Sequence, residues 1–322
     1  MCPDVIALGE ILVDMIPIRA GHYSEVPAFE KCFGGAPFNF AVGIARLGGS
    51  VGALCAVGND QFGEFLLDTL RANGVDVSHV KTKEARTTLA FVIREKTGER
   101  NFFFYRNPWT ETADTLVSPG DIDPEYVSRA KIMHFSGVAL SHNPERSAVF
   151  EAMKICKEAG VQISFDPNIR LDLWGSEAAL RKIYDKAMRE ADLILLAKDE
   201  GEFLFNEADP ERVADVVFKK YDPSCVAIKL GSLGCFVRMD DMRRVEKRAF
   251  GVQVVDTTGA GDGWAAGFEQ ALLEKRDLEE CATIANAVGA LVVTKIGAIT
   301  ALPTREEVGT FLRERGVTLR SW

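Results

Sequence analysis

The 322-residue chain has the composition of a globular protein, since 47% of its residues are hydrophobic and 26% are charged. Its formal charge of -9 argues against nucleic acid or an anionic membrane as the main partner. Seven cysteines without a C-x-x-C pair and four histidines without ligand spacing argue against a disulfide framework and a His/Cys metal site. Because neither a basic leader nor a bilayer-length apolar stretch is evident, we expect a cytoplasmic protein.

Short apolar strands alternate with amphipathic helical segments along most of the chain. In chain order, the predicted strands are residues 5–8, 52–57, 132–135, 162–165, 193–196, 225–229 and 234–238. The predicted helices are residues 61–73, 143–159, 177–190, 211–221 and 261–275. In the last of these helices, Trp264, Phe268 and Leu272 share one apolar stripe. This alternation predicts a layered α/β fold with a largely parallel sheet.

Two segments break this alternation. Residues 11–33 are β-like, and residues 86–106 predict a hairpin whose turn falls at residues 96–99, with Gly98 where a tight bend favours glycine. Strands without covering helices must pack on another part of the chain, so we expect a small β-sheet lid over one edge of the body. The predicted division assigns residues 1–10, 37–85 and 107–322 to the α/β body and residues 11–36 and 86–106 to the lid.

The motif with the clearest chemistry is Val-Val-Asp-Thr-Thr-Gly-Ala-Gly-Asp at residues 254–262, which runs from a strand end into a predicted helix. Gly259, Ala260 and Gly261 have little side-chain bulk, so an anion can approach the free amides at the helix N-terminus. Asp262 lies in the first turn, where it could accept a proton from a hydroxyl that attacks a bound phosphate. A glycine-rich turn with a capping Asp is the alternative on these residues alone.

A second glycine cluster, Gly34 and Gly35, precedes another predicted helix start. Glycines there suit close backbone approach, and Asn39 could hydrogen-bond to hydroxyls; a simple strand-to-helix turn with Asn39 facing the core is the alternative. Residues 58–63 have the glycine spacing of a Walker loop, but Glu64 stands where its lysine should be. The sequence also lacks a strand-linked G-x-G-x-x-G and a G-x-S-x-G motif, which argues against dinucleotide-binding and hydrolase readings.

Residues 34–41 and 256–268 together resemble the two signatures of the ribokinase-like, or PfkB, family of sugar kinases, and the resemblance covers essentially the full chain. It implies a three-layer ribokinase-like α/β fold with a mostly parallel central sheet and a small β-sheet lid. It also implies ATP-dependent phosphorylation of a sugar hydroxyl. In the family pattern, Asp262 is the base, and the amides of Gly259, Ala260 and Gly261 form the hole for the transferred phosphoryl group.

The resemblance also implies sites for the nucleotide and for metal ions. The positions that match the nucleotide site are Lys229, Gly231, Ser232, Gly234 and Asn286. The positions that match metal sites are Glu200, for Mg²⁺ through water, and Asp256 with Thr258, for a monovalent cation such as K⁺. The family usually has Asn-x-x-Glu where this chain has Ala197 before Glu200, so Mg²⁺ organisation would rest on Glu200 and water. The lid of the family often serves in dimerisation, which implies a homodimer.

Several stretches resemble the fructokinase branch in particular, at residues 8–14, 102–108, 165–170 and 297–304. The predicted sugar-binding residues are Asp14, Gly34, Gly35, Asn39 and Arg170, of which the carboxylate, amide and guanidinium groups suit a polyol. Asp14 could instead face water, and Arg170 could instead pair with Asp166 or Asp172. The expected reaction is fructose to fructose 6-phosphate. The alternatives are a 2-keto-3-deoxygluconate kinase, in which Arg170 would bind a carboxylate, and a non-catalytic sugar-binding sensor.

Overall fold

The computed structural model describes residues 2–94 and 100–320, apart from the side chains of residues 94, 100 and 101. These residues form fourteen strands in three sheets, together with ten α-helices. The strands are β1 Val5–Leu8, β2 Leu12–Pro17, β3 Phe29–Gly34, β4 Val51–Leu54, β5 Ala56–Gly58, β6 Lys81–Lys83, β7 Thr88–Arg94, β8 Arg100–Tyr105, β9 Ile132–Ser136, β10 Gln162–Asp166, β11 Leu193–Ala197, β12 Cys225–Lys229, β13 Cys235–Met239 and β14 Arg244–Lys247. The helices are α1 Ala36–Arg46, α2 Gln61–Ala72, α3 Pro124–Ser128, α4 Glu145–Ala159, α5 Glu177–Met188, α6 Lys198–Phe205, α7 Pro210–Tyr221, α8 Ala260–Leu273, α9 Leu278–Val292 and α10 Arg305–Arg313.

The largest sheet has eight strands in the order β14-β13-β12-β11-β10-β9-β1-β4. Its strands all run in one direction except β13, which pairs antiparallel with both β12 and β14 near one edge. One hydrophobic cluster packs helices α1, α8 and α9 on one face, and a second packs α4, α5 and α7 on the other. Burial on both faces explains why strands such as β1 are apolar throughout. The predicted three-layer, ribokinase-like α/β fold is confirmed.

A separate four-stranded sheet has the order β3-β2-β7-β8. Strand β2 pairs antiparallel with β3 and parallel with β7, and β7 pairs antiparallel with β8. The predicted small β-sheet and its hairpin are therefore present, while the predicted turn at residues 96–99 lies outside the described residues. The exact division into a body and a lid domain stays a prediction.

The structure corrects three predicted elements. The segment before α8 is not a strand end, because residues 254 and 255 lie in a loop and are exposed. Residues 52–57 are not one strand, because the chain leaves the large sheet at Cys55, whose carbonyl accepts a hydrogen bond from Lys81 N (2.9 Å). The chain then continues as β5, which pairs with β6 in a two-stranded sheet. Helix α8 is buried on all sides from Gly263 to Ala271 rather than along one stripe, because it packs between the sheet, α1 and α9. Within the described residues, no helix is both long and apolar enough to cross a membrane.

Five neighbouring parallel strands end along the same edge of the large sheet. Glu10 follows β1, and the last residues of the other four strands are Ser136, Asp166, Ala197 and Lys229. The register places Asp166 beside Ser136 and Ala197 beside Lys229. Ligands in open α/β sheets bind outside the carboxyl ends of the strands, so this edge is where a functional site is expected.

Candidate active site

A cavity of about 1180 Å³ opens at this carboxyl edge, and its walls include residues of both larger sheets and the first turn of α8. The predicted site residues in its walls are Asp14, Gly35, Asn39, Arg170, Glu200, Lys229, Gly231, Thr258, Gly259, Gly261 and Asp262. The predicted site residues that do not line it are Gly34, Ala260, Ser232, Gly234, Asp256 and Asn286. The structure thus brings together most of the residues that the sequence singled out, across more than 240 positions of the chain, from 14 to 262.

Asp262 faces the cavity from the first turn of α8 and is held by Asn39. The amide nitrogen Nδ2 of Asn39 donates a hydrogen bond of 2.8 Å to Asp262 Oδ2. Asn39 is only 5% exposed, and its Oδ1 has no hydrogen-bond partner among the described residues. Asn39 therefore faces the cavity rather than the core, and it keeps a buried acceptor for a ligand hydroxyl. The low solvation of this position raises the pKa of Asp262.

The N-terminus of α8 opens into the same space. Gly259 precedes the helix with a φ of +75°, and its carbonyl accepts a hydrogen bond from Gly263 N (2.9 Å). The next amides, of Gly261 and Asp262, lie in the first turn, where a helix supplies no acceptor of its own. Lys229 adds a positive charge nearby, since a Cβ built on Gly261 would lie 3.5 Å from Lys229 Nζ. Free amides, the helix dipole and an ammonium group together favour an anion such as a phosphate.

Lys229 also belongs to a buried group of charges at the carboxyl ends of β10, β11 and β12. Its Nζ lies 2.5 Å from Asp166 Oδ2. Glu200 accepts hydrogen bonds from the backbone N of Ile169 (2.9 Å) and of Ala197 (2.8 Å). Burial, together with the Asp166 charge, raises the pKa of Glu200 to about 7. At 7% exposure, Glu200 does not lie on a solvated helix face.

The described residues contain no group of three His, Cys, Asp or Glu side chains that could hold a metal ion alone. A divalent cation here would therefore be held largely by phosphate oxygens and water, with Glu200 as the buried carboxylate of the cavity wall. Asp256 is 2% exposed, and its two oxygens accept hydrogen bonds from Thr258 N (2.7 Å) and Gly297 N (3.0 Å). This buried carboxylate thus joins two loops beside the start of α8.

Asp14 faces the cavity from β2, on the opposite side from Asp262. It is 6% exposed, so the alternative that it faces water is wrong. Burial, with the nearby Asp262 charge, raises the pKa of Asp14 to about 7. Gly34 lies against it, because a Cβ at Gly34 would come within 2.4 Å of Asp14 Oδ2. Gly35 has a φ of +107°, and a Cβ there would lie 2.4 Å from Glu10 O. Both glycines therefore permit close packing at this wall of the cavity.

Arg170 reaches the cavity without a carboxylate partner. Its Nη1 donates to Ile169 O (2.8 Å), and its guanidinium lies 5.7 Å from the ring centroid of Phe102. None of the ion pairs among the described residues includes Arg170, and Asp166 pairs with Lys229 instead. The ion-pair alternative for Arg170 is therefore not what the structure shows. Phe102 and Phe104 of β8 also line the cavity.

Asn286 and Gly234 lie beside the cavity, against one stretch of backbone. Asn286 accepts from Trp264 Nε1 (2.8 Å) and donates to the carbonyls of Lys247 and Arg248 (3.1 Å each). Gly234 has a φ of +112°, and a Cβ there would meet Lys247 O at 1.9 Å. The amide of Asn286 is thus directed at protein groups, and both residues fix the end of β14 beside the turn that contains Gly231.

Comparisons with known proteins agree with this geometry. The profile described as "pfkB family carbohydrate kinase" matches residues 3–305. Fructokinase-1 of Oryza sativa subsp. japonica is 40% identical over 315 residues, which cover 94% of this chain and 96% of the rice protein.

Two solved structures extend the similarity to the fold. Fructokinase from Xylella fastidiosa with bound ATP has a TM-score of 0.86 and 31% identity, covering 97% of this chain and 98% of that chain. Fructokinase from Vibrio cholerae O395, in a form with fructose, ADP and a calcium ion, has a TM-score of 0.86 and 32% identity, covering 97% and 99%. A double mutant of the same enzyme was solved with fructose, ADP and a potassium ion. This chain belongs to the pfkB family of carbohydrate kinases.

Proposed function

We propose that this protein is a fructokinase that converts fructose and ATP to fructose 6-phosphate and ADP. The observation that carries the proposal is the Asp262 carboxylate, held by Asn39 beside the open N-terminus of α8, in a cavity that also presents Asp14 and Arg170. The fructokinase relatives, one of them solved with fructose and ADP, support fructose as the sugar.

In the proposed reaction, a hydroxyl of the sugar is positioned by hydrogen bonds to Asp14, Asn39 and Arg170. Its oxygen attacks the γ-phosphorus of ATP, the bond from that phosphorus to the β,γ-bridging oxygen breaks, and Asp262 takes the hydroxyl proton. The amides of the first turn of α8 and the ammonium of Lys229 balance the charge of the transferred phosphoryl group. Phosphoryl transfer depends mainly on such positioning and charge balance.

The nucleotide lies, in this proposal, along the wall that contains Lys229 and Gly231, with Gly234 and Asn286 as residues that position the turn. Mg²⁺ would be organised by Glu200 through water and would neutralise phosphate charge when bound. K⁺ would be held near Asp256 and Thr258. Calcium and potassium ions in the related Vibrio cholerae structures support metal binding in this family, and the choice of Mg²⁺ and K⁺ is our proposal.

The two alternatives from the sequence are less well supported. A 2-keto-3-deoxygluconate kinase would use Arg170 on the sugar carboxylate, but the relatives reported above are fructokinases. A sensor without catalysis would not need a carboxylate held beside an anion-binding helix terminus.

Coupled ADP release with ATP, Mg²⁺ and K⁺ tests the proposal, using fructose, ribose, 2-keto-3-deoxygluconate, glucose and adenosine as separate acceptors. We expect kcat/KM for fructose to exceed each of the others by at least about tenfold. A preference for the keto acid would keep the kinase and reassign the sugar. Absence of turnover on every acceptor would contradict the proposed activity.

Arg170→Ala is expected to raise the KM for fructose by about ten- to hundredfold, because it removes a charged hydrogen-bond donor from the proposed sugar site. Arg170→Lys is the matched comparison, since it keeps the charge but loses the planar fork. Steady-state kinetics with fructose varied at saturating ATP measure both variants. An unchanged KM for Arg170→Ala would assign this arginine to structure.

The rate should depend on pH near neutrality. Burial raises the pKa of Asp14 to about 7, so this carboxylate gains a proton as the pH falls through that value. Asp14 is needed in its ionised form to accept hydrogen bonds from the sugar hydroxyls, so kcat/KM for fructose should fall between about pH 8 and about pH 6. In Asp14→Asn the remaining decline should report Asp262 and move along the pH axis. A variant profile that overlays the wild-type shape would contradict the role of Asp14.

We also propose that the four-stranded sheet is the lid over the sugar and that the protein is a homodimer through it. Ala90 is the register partner of Asp14, so these two residues share one face of the sheet. Strand residues alternate between faces, so Phe91 lies on the other face. On that opposite face, Phe91 stacks with Phe103 (5.2 Å between centroids) and contacts Tyr105, which is 53% exposed. Exposed aromatic clusters of this kind are typical of interfaces. A purely monomeric species in analytical ultracentrifugation would contradict the dimer.

A further inference from the structure

The chain enters or leaves the four-stranded sheet at four crossings. The crossings lie at residues 9–11, at Gly35, at residues 84–87 before β7, and at Arg106, directly after β8. Arg106 is the largest fully buried side chain among the described residues, and it does not line the cavity. A buried guanidinium at such a crossing requires an explanation, because burying a charge is costly unless it is paired.

Arg106 is paired with two carboxylates of the α/β part. Its Nη2 lies 2.7 Å from Oε2 of Glu145, the first residue of α4, and 3.3 Å from Oδ2 of Asp114. Asp114 Oδ1 in turn accepts a hydrogen bond of 2.5 Å from Thr88 Oγ1, at the first residue of β7. One carboxylate thus joins the start of β7 and the residue after β8, so both ends of the hairpin base are fixed to the same point.

The pairing of β7 with β2 extends this connection to Asp14, on the side of the cavity where the sugar is proposed to bind. Thr88 is the register partner of Leu12, and Ala90 is the register partner of Asp14. Glu10 lies at the first crossing, where the charge of Arg106 partly offsets the rise that burial causes in the pKa of Glu10. Its two oxygens accept hydrogen bonds from Ser136 Oγ (2.9 and 2.8 Å). We call Glu10, Arg106, Asp114 and Glu145 the Arg106 cluster.

The Arg106 cluster is poorly suited to stabilisation alone. Each of its four side chains is at most 2% exposed, and three carboxylates share one guanidinium. Nε and Nη1 of Arg106 and Oε1 of Glu145 have no hydrogen-bond partner among the described residues. Apolar residues of similar volume can serve stability as well as a buried ionic group of this kind.

We propose that Arg106 is a positioning residue for the sugar site: through Asp114, Glu145 and Thr88 it fixes the base of the β7–β8 hairpin, so that β2 holds Asp14 opposite Asn39 and Asp262. The inference rests on the proposed function, because it needs Asp14 to bind the sugar. The nucleotide wall, by contrast, is built from α6, α8 and the Gly231 turn, none of which contains a member of the cluster. Loosening the cluster should therefore weaken sugar binding selectively.

Glu145→Gln and Thr88→Val test this with little change in volume, because the first removes the negative charge that pairs with Arg106 and the second removes the hydroxyl that donates to Asp114. We expect each variant to raise the KM for fructose about five- to tenfold, with kcat and the KM for ATP changed by less than about threefold. The effects of the two substitutions on the KM for fructose should be less than multiplicative in the double variant, since both links hold the same Arg106–Asp114 pair. Arg106→Lys, which keeps the charge, should recover part of the affinity that Arg106→Gln loses.

The matched control is Glu177→Gln. Glu177 is also the first residue of a helix and also pairs with an arginine, Arg181, but the pair is exposed on α5. This variant should leave both KM values unchanged. Circular dichroism and thermal melting establish that each variant is folded before its kinetics are compared.

An unchanged KM for fructose in folded Glu145→Gln and Thr88→Val would overturn the proposal, whatever the melting temperatures. A proportional loss of kcat with both KM values unchanged would also overturn it, because that pattern reports a smaller active fraction. If the Arg106 variants do not fold, Glu145→Gln and Thr88→Val still test the proposal. Failure of the wild type on fructose would overturn the proposed function instead, and the same variant ratios would then be measured on the sugar that the wild type phosphorylates.

Discussion

Asp262→Asn should lower kcat by about 10³- to 10⁴-fold, because it removes the only carboxylate held beside the N-terminus of α8 in the described cavity and leaves the volume nearly unchanged. The fold should be kept, since the amide of Asn39 can turn and pair with an asparagine at this position. Fructose binding should change by less than about threefold, because Asp14, Asn39 and Arg170 remain. Coupled ADP release measures the first effect and isothermal titration calorimetry the second.

Asp199→Asn is the matched control for this experiment. Asp199 lines the same cavity at the start of α6, but it is exposed and has no contact with Asn39. Its substitution should leave kcat within about threefold of wild type. Turnover close to wild type in Asp262→Asn would remove this residue from the role of base, and equal losses in both variants would point to a general electrostatic effect of the cavity.

The sequence alone is enough to group the residues proposed to react, for a physical reason. Gly259, Gly261 and Asp262 lie within four residues of one another at the start of α8, so local chain geometry alone places them in one turn. The contact of Asp262 with Asn39, 223 positions away, could be expected only from the resemblance of both signatures to one family. Roles for these residues stay proposals until the kinetics are measured.

Other parts of the site could not be predicted because they depend on packing between distant segments. The pair of Lys229 and Asp166 joins the ends of β12 and β10 across β11, and a single sequence does not give this strand order. Gly34 was expected to contact the sugar, but it lies behind Asp14 and permits that carboxylate to approach. Asn286 was expected near the nucleotide, and its amide is occupied by Trp264 and the end of β14.

The fold was predictable at the level of layers and less so at particular elements. Apolar strands and amphipathic helices indicated the parallel sheet, because burial on both faces imposes that pattern. The division of residues 52–57 into β4 and β5 was not visible, since the apolar run continues through Cys55 while the chain changes its pairing partner. The Arg106 cluster was missed for a similar reason: its members lie at 10, 106, 114 and 145, and only the tertiary fold brings them together.

Gly259→Ala should lower kcat by about 10²-fold, because it displaces the amides that receive the phosphoryl group. The position has a φ of +75°, and a Cβ there would lie 2.7 Å from the Cβ of Ala298 and 2.9 Å from its Cα. Because Ala298 is 2% exposed and its Cα is backbone, the neighbour cannot simply rotate away, so the first turn of α8 must move. Coupled ADP release at saturating fructose and ATP measures the loss.

Gly160→Ala separates this displacement from backbone strain. Gly160 ends α4 with a φ of +73°, and a Cβ there would meet nothing within 4 Å. Both substitutions therefore carry the strain of a left-handed residue, about 1 kcal/mol of unfolding free energy, but only Gly259→Ala carries the steric contact. Adding Ala298→Gly to Gly259→Ala removes the 2.7 Å contact and should restore part of kcat, while the contact with the Cα limits the recovery. If Gly160→Ala loses as much activity as Gly259→Ala, or if the double variant recovers nothing, the displacement of the anion-binding amides is not the cause.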